Sequence, residues 1–285
     1  MGWAETRVNR NLEILIAACQ EAGIAYQRHH PSGNALSVTV QGKSYLFVNW
    51  STPFNPHSVA QLCQDKDYFH SVFSDVIRMP GTLAFLDPSC EQEYQRYLVY
   101  KSIDEIVAAI CEACSFPLIV KRNRGSWGVN VFKVEDVQQL ERGVRQVFDR
   151  NSAAFDYVCL AQAYVPVASE YRVIYFQGRH MFSYRKVTEQ AAFAGNLSPL
   201  HWHGARTELV TDQALIARLC RFCAPLFDRH MLPFCGLDII EDTEGSLWLI
   251  EANGSPGFDR VLRGGATPQV TRLYAEMLAH LSERR

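Results

Sequence analysis

The most constraining feature of this chain is an apolar hairpin that carries three oxygen donors. Residues 234–241 and 246–251 read as two strands that pair across the acidic turn 242–245. Asp238 lies on the first strand; Glu251 and Asn253 end the second. Side chains two apart on a strand share a face, so Glu251 and Asn253 can converge with Asp238. Two carboxylates and an amide suit Mg²⁺, a hard cation that keeps waters and binds phosphate oxygens. Any one of these acids could merely solvate a sheet edge; the convergence of three points to a ligand set.

A second signal lies upstream. Phe116 to Lys121 reads as a strand ending in a lysine, followed by a loop over 122–128 that holds Gly125 and Gly128. A point charge and backbone N–H groups so placed surround an anion. The spacing is not the GxxxxGK[ST] of a P-loop, which sets that family aside.

Composition narrows the classes. The 285 residues are 48% hydrophobic, enough for about two domains and a large core. Lys plus Arg number 28 against 30 Asp plus Glu, so no global field holds nucleic acid, although a local basic cleft can hold a nucleotide. Apolar stretches stop short of the roughly 18 residues that span a bilayer, and Glu5, Arg7, Arg10 and Glu13 interrupt the first of them, which argues against a signal peptide. Nine cysteines, an odd number scattered through apolar segments, argue for a reducing cytoplasm. The CxxC pairs Cys111/Cys114 and Cys220/Cys223 follow helical apolar patterns and read as buried core rather than as a zinc ribbon.

Periodicity predicts mixed α+β (α/β) architecture. Residues 8–22 are helical, 24–29 a strand, and 35–40 with 44–50 a hairpin about Gln41-Gly42-Lys43. One helix is expected through Val59, Leu62, Phe69, Val72 and Phe73. Ser102 and Glu105 form a capping box. Strands follow at 116–121, 129–133, 157–164, 170–176 and 180–186, with helices from Asp136, from a Thr211 cap to about His230, and from near Pro268.

In this order the motifs resemble the ATP-grasp superfamily of carboxylate–amine ligases, especially the ribosomal-protein glutamate ligase and glutathione-synthetase-like branch. The resemblance runs from Asp65-Lys66 to the last helix. It implies an ATP-grasp fold with a small N-terminal α/β domain (1–64), a central subdomain (65–151) and a C-terminal subdomain (152–285) clamping the nucleotide. By the same resemblance Lys66, Lys121, Ser126 and Gly128 hold phosphates, and Gln162, Tyr164 and Val165 form the hinge that reads adenine. Glu170 takes the ribose, Asn196 approaches the phosphates, and Asp238, Glu251 and Asn253 ligate Mg²⁺, or Mn²⁺ in its place. Arg172, Lys186 and Asn196 are the implied catalytic residues. The chain departs from the family pattern at Ala163, which replaces the hinge acid, at Lys186, where relatives mostly carry arginine, and at Ala194, which replaces a basic residue.

The implied activity is ADP-forming ligation of a small-molecule or peptide carboxylate to an amine in the cytoplasm, without nucleic acid or membrane, with a homo-oligomer left open. A small-molecule kinase and a non-catalytic nucleotide-binding regulatory module are the alternatives. Arg260 and Arg263 beyond the Ser-Pro-Gly turn are either solvated positions or receivers of a substrate carboxylate. His201-Trp-His203 reads as surface or packing.

Overall fold

The computed structural model describes residues 8–125, 127–189, 200 and 202–283. Its N-terminal unit begins with α1 (Arg10–Glu21), whose Leu12, Leu15, Ile16 and Cys19 are buried at helical spacing. Three antiparallel strands follow in the order β1 (Ala25–Arg28), β2 (Ala35–Val40), β3 (Lys43–Val48). The β2–β3 turn forms at the expected place because Gln41 and Gly42 adopt φ of 50° and 75°, the left-handed pair that a two-residue hairpin turn requires.

The helix expected through Val59–Phe73 is two helices, α2 (His57–Gln64) and α3 (Lys66–Phe73). Asp65 between them is extended, with φ −104° and ψ 102°, and its carboxylate accepts from the Tyr68 N–H at 3.0 Å. An aspartate favours capping over continuing a helix, and the apolar spacing alone hides this break.

A four-stranded antiparallel sheet comes next, in the order β4 (Thr82–Leu86), β7 (Val158–Ala163), β5 (Leu118–Arg122), β6 (Val131–Val134). The helices α4 (Ile103–Ala113) and α5 (Val137–Val147) cover it, packing Ile106, Ile110, Leu140 and Val144 against Leu118, Val120 and Cys159. Ser102 accepts from the Glu105 N–H as the capping box predicts, but the Glu105 carboxylate returns to the N–H of Lys101.

The last sheet has five antiparallel strands in the order β10 (Arg206–Leu209), β9 (Arg179–Val187), β8 (Val167–Phe176), β11 (Phe234–Asp242), β12 (Leu247–Asn253). One face packs on α6 (Gln213–Arg229) together with Phe69 and Phe73 of α3. The other packs on α8 (Thr267–Glu283), α1 and the N-terminal sheet, so Leu12 and Leu15 share a core with Phe234, Leu273 and Met277. Asp212, not Thr211, caps α6, because its carboxylate reaches the Ala214 N–H at 2.9 Å. Cys223 is fully buried in α6, but Cys111 is exposed on α4, against the expectation of a buried pair. No described helix is long and apolar enough to cross a membrane.

Candidate active site

A cleft of about 570 Å³ runs between the four- and five-stranded sheets, and one rim belongs to the N-terminal unit. Its walls carry seven basic side chains (Lys66, Lys121, Arg122, Arg172, Lys186, Arg260 and Arg263) against the acidic Glu170, Asp238, Glu251 and Asp259. That excess suits a polyanion.

The metal-type donors meet as the hairpin predicts. Asp238 on β11 pairs directly with Glu251 on β12, and Gly236 with Asn253; opposed residues in an antiparallel pair share a face. Beyond Asp238 the register slips, so Ile239 pairs with Leu249 and Ile250 is left over. Such a bulge re-aims side chains beside it. On the other side Asp238 pairs with Arg172 of β8, and Glu170 pairs with Lys186 of β9.

These four charges form one buried network. Arg172 donates to both Asp238 oxygens; Lys186 donates to Glu170 and stands 3.5 Å from Asp238. Burial alone would raise the Asp238 pKa, but Arg172 and Lys186 outweigh it and hold the carboxyl down at about 2. Burial likewise opposes the charge on Lys186, and Asp238 and Glu170 overcome that, lifting its pKa. Burial drives Glu170 above the ordinary carboxylate range although Lys186 pulls the other way.

Across the cleft, Lys121, next to last on β5, is 5% exposed and donates to Gln162 Oε1 at 2.8 Å; Gln162 in turn donates to Thr82. Burial, reinforced by Lys66, pushes the Lys121 pKa down to about 8, with Glu251 opposing. Lys66 sits at the start of α3, bonded to the carbonyls of Asn123 and Gly125 and 3.5 Å from Glu251. Asp65 anchors this corner through a two-nitrogen contact from Arg124 at 3.2 Å. Arg122 lines the cleft, and its Nε is buried without a partner among the described residues, packed against Gly125.

Of the residues singled out from sequence, the cleft wall brings together Lys66, Lys121, Gly128, Glu170, Arg172, Lys186, Asp238, Glu251 and Asn253. Gln162 connects to it through Lys121, whereas Tyr164 and Val165, beyond the end of β7, are not part of this wall. Ser126, Asn196 and His201 lie outside the described residues. Arg260 and Arg263 line the cleft from the short helix α7 (Asp259–Arg263).

Sequence reasoning missed three residues, all from the N-terminal unit. Asn11 of α1, fully buried, donates to the Pro256 carbonyl at 3.1 Å and accepts from the Phe258 N–H at 3.0 Å. Asn55 donates to the carbonyls of Phe234 and Gly254 and accepts from the Phe234 N–H. The turn that follows Asn253 is therefore held at both ends. Trp50 lines the cleft beside that turn. The only signal for Asn11 was an amide among the apolar positions of a helix, which by itself reads as an exposed face.

Two carboxylates and an amide in one cleft fit a hard divalent cation; among the described residues no third acidic, His or Cys ligand joins them.

Lys66, Lys121 and Arg122 share one cleft with the paired carboxylates between two antiparallel sheets, an arrangement that fits the ATP-grasp architecture. A family model for the RimK-like ATP-grasp domain matches residues 91–270, and this chain belongs to that family. Solved structures agree on the fold. D-alanine–D-alanine ligase from Bacillus anthracis, complexed with ATP, is similar with a TM-score of 0.53 and 17% identity over 79% of this chain and 69% of that one. The D-Ala:D-Ser ligase from Enterococcus faecalis gives 0.54 and 14% over 77% and 63%. A bifunctional glutathione synthetase from Pasteurella multocida gives 0.57 and 12% over 95% of this chain but only 44% of its own. Comparison with curated protein sequences gives no match.

Proposed function

We propose that this protein is an ATP-dependent ligase that joins a carboxylate of a small molecule or peptide to an amine through an acylphosphate. The observation that carries this reading is the single cleft in which Lys121 and Lys66 face Asp238 and Glu251, with Arg172 beside them. Lys121, Lys66 and Arg122 bind and orient the triphosphate. Mg²⁺, held by Asp238, Glu251 and Asn253, would neutralise phosphate charge when bound. A substrate carboxylate oxygen attacks the γ-phosphorus, ADP leaves, and the amine then attacks the acyl carbon and loses a proton. Phosphate departs with one carboxylate oxygen. Arg172 stabilises the oxyanion formed at the acyl carbon. Positioning and charge carry such transfers, so no serine or cysteine nucleophile is required. The loop after β5, with Trp127, Gly128 and Asn130 at positive φ, covers the nucleotide and excludes water that would hydrolyse the acylphosphate.

The test is ADP release from pairs of carboxylates and amines, with oxygen-18 in the carboxylate. One labelled oxygen must appear in the released phosphate. Phosphate free of label, or ADP release that needs only a hydroxyl acceptor, would overturn the ligase reading in favour of a kinase.

A further inference from the structure

The N-terminal unit holds one large aromatic at the edge of the cleft in a manner that folding alone does not require. After β3 the chain makes a tight turn: Val48 and Ser51 exchange backbone hydrogen bonds at 3.1 and 2.8 Å, with Asn49 at φ 53°. Trp50 is the tip of that turn and remains 38% exposed. Asn49 takes the left-handed conformation that asparagine tolerates in a tight turn, and the turn so made presents the Trp50 indole at the cleft edge.

The tip is moored to the opposite rim. Ser51 Oγ lies 3.5 Å from Ser255 Oγ, and Asn55 holds the Gly254 carbonyl at 2.9 Å. The indole fills the place of a side chain at Gly257: a Cβ there would stand 3.2 Å from Trp50 Nε1. Arg260 and Arg263, one helical turn apart on the same rim, have no carboxylate partner among the described residues. Among the other basic side chains of the cleft, Lys66 is engaged with Glu251, Arg172 with Asp238, Lys186 with Glu170, and Lys121 with the Gln162 amide oxygen.

We infer that Trp50 is a specificity-determining residue, receiving a bulky apolar or aromatic side chain of a substrate that also carries a negative charge. The indole supplies a rigid apolar face, and the two guanidinium groups that line the same cleft supply the complement to the charge. This inference rests on the ligase reading and selects among its substrates.

The experiment measures ADP release with amino acids and dipeptides as free acids, for the wild-type protein, Trp50→Phe and Trp50→Ala. The wild type should prefer acids with large apolar side chains over glycine, alanine and glutamate in kcat/KM by about 10- to 100-fold. Trp50→Ala should erase that ranking mainly through KM, and Trp50→Phe should keep most of it. An unchanged ranking in Trp50→Ala, or a wild type that prefers small or acidic side chains, would overturn the assignment and leave the ligase reading intact. If no pair releases ADP, the ligase reading fails, and calorimetric titration of L-phenylalanine in the presence of ADP and Mg²⁺ decides the site. Saturable binding that Trp50→Ala abolishes supports it; absence of binding refutes it.

Discussion

Arg172 and Asp238, directly opposed on β8 and β11, are joined by two parallel hydrogen bonds of 2.6 and 2.5 Å, so the acid expected to face a cation is already neutralised. The pair is nearly enclosed, and removing one partner leaves the other charge stranded.

Asp238→Asn is therefore expected to lower unfolding free energy by about 3 kcal/mol and to abolish turnover. Glu251→Gln, whose partner Lys66 stands at 3.5 Å near solvent, should stop turnover with a stability loss under about 1 kcal/mol. Urea denaturation beside ADP release separates the two effects. Equal stability losses in both variants would contradict the buried clamp.

The same pair sets an acid limit. The folded Asp238 carboxyl is held down at about 2, below its ordinary value of 3.8, so its contribution is complete above 3.8 and is lost as pH falls toward 2. The acid limb of a stability–pH curve should be shallower in Asp238→Asn between pH 4 and 2. Superimposable acid limbs would refute this.

Lys121 predicts a dependence of the opposite kind. Its pKa of about 8 lies below the ordinary 10.5, so the charged form destabilises the free fold below pH 8, and this penalty fades as pH rises toward 10.5. Lys121→Met should stabilise the free protein at pH 7 by roughly 1–3 kcal/mol, less whatever the orphaned Gln162 oxygen costs. A bound triphosphate needs the charged form, so nucleotide affinity should fall above pH 8 by up to about tenfold per unit. Calorimetry in buffers of different ionisation enthalpy at pH 8.5 should register proton uptake. Affinity that is flat to pH 9.5 would count against the role given to Lys121.

Asn11 tests whether the N-terminal helix fixes the turn after Asn253. Asn11→Ala strands the Pro256 carbonyl and the Phe258 N–H in the core, at a cost of about 1–3 kcal/mol. At a temperature where the variant stays folded, kcat/KM should fall by about tenfold or more, because α7 and the turn lose their anchor. Asn11→Asp retains the acceptor for Phe258 and should recover part of both losses. A stability loss with unaltered kinetics would reduce Asn11 to packing.

Arg172→Lys keeps the charge and loses the planar fork. Turnover should drop about a hundredfold, the usual cost of one oxyanion donor, while ATP affinity changes little. Single-turnover kinetics with a nucleotide-binding assay check this. A parallel loss of ATP affinity would make Arg172 a nucleotide ligand instead.

What the sequence determined was local. Asp238, Glu251 and Asn253 were legible because one hairpin carries them and strand alternation assigns their face; Lys121 was legible because a strand end precedes a glycine loop. What tertiary structure decided was the partner of each charge and the far wall of the site. Arg172 meets Asp238 through a strand register 66 residues apart, and periodicity within either strand is silent on that register. The short edge strands β4 and β10 form by pairing with β7 and β9 rather than by any strong pattern of their own. Asp65 breaks a helix that apolar spacing runs through, since its carboxylate caps α3 while Arg124 of a distant loop holds it. Asn11, Trp50 and Asn55 act on a turn about 200 residues further along the chain, where hydrogen bonds and packing depend on how three cores assemble and not on the residues adjacent in sequence.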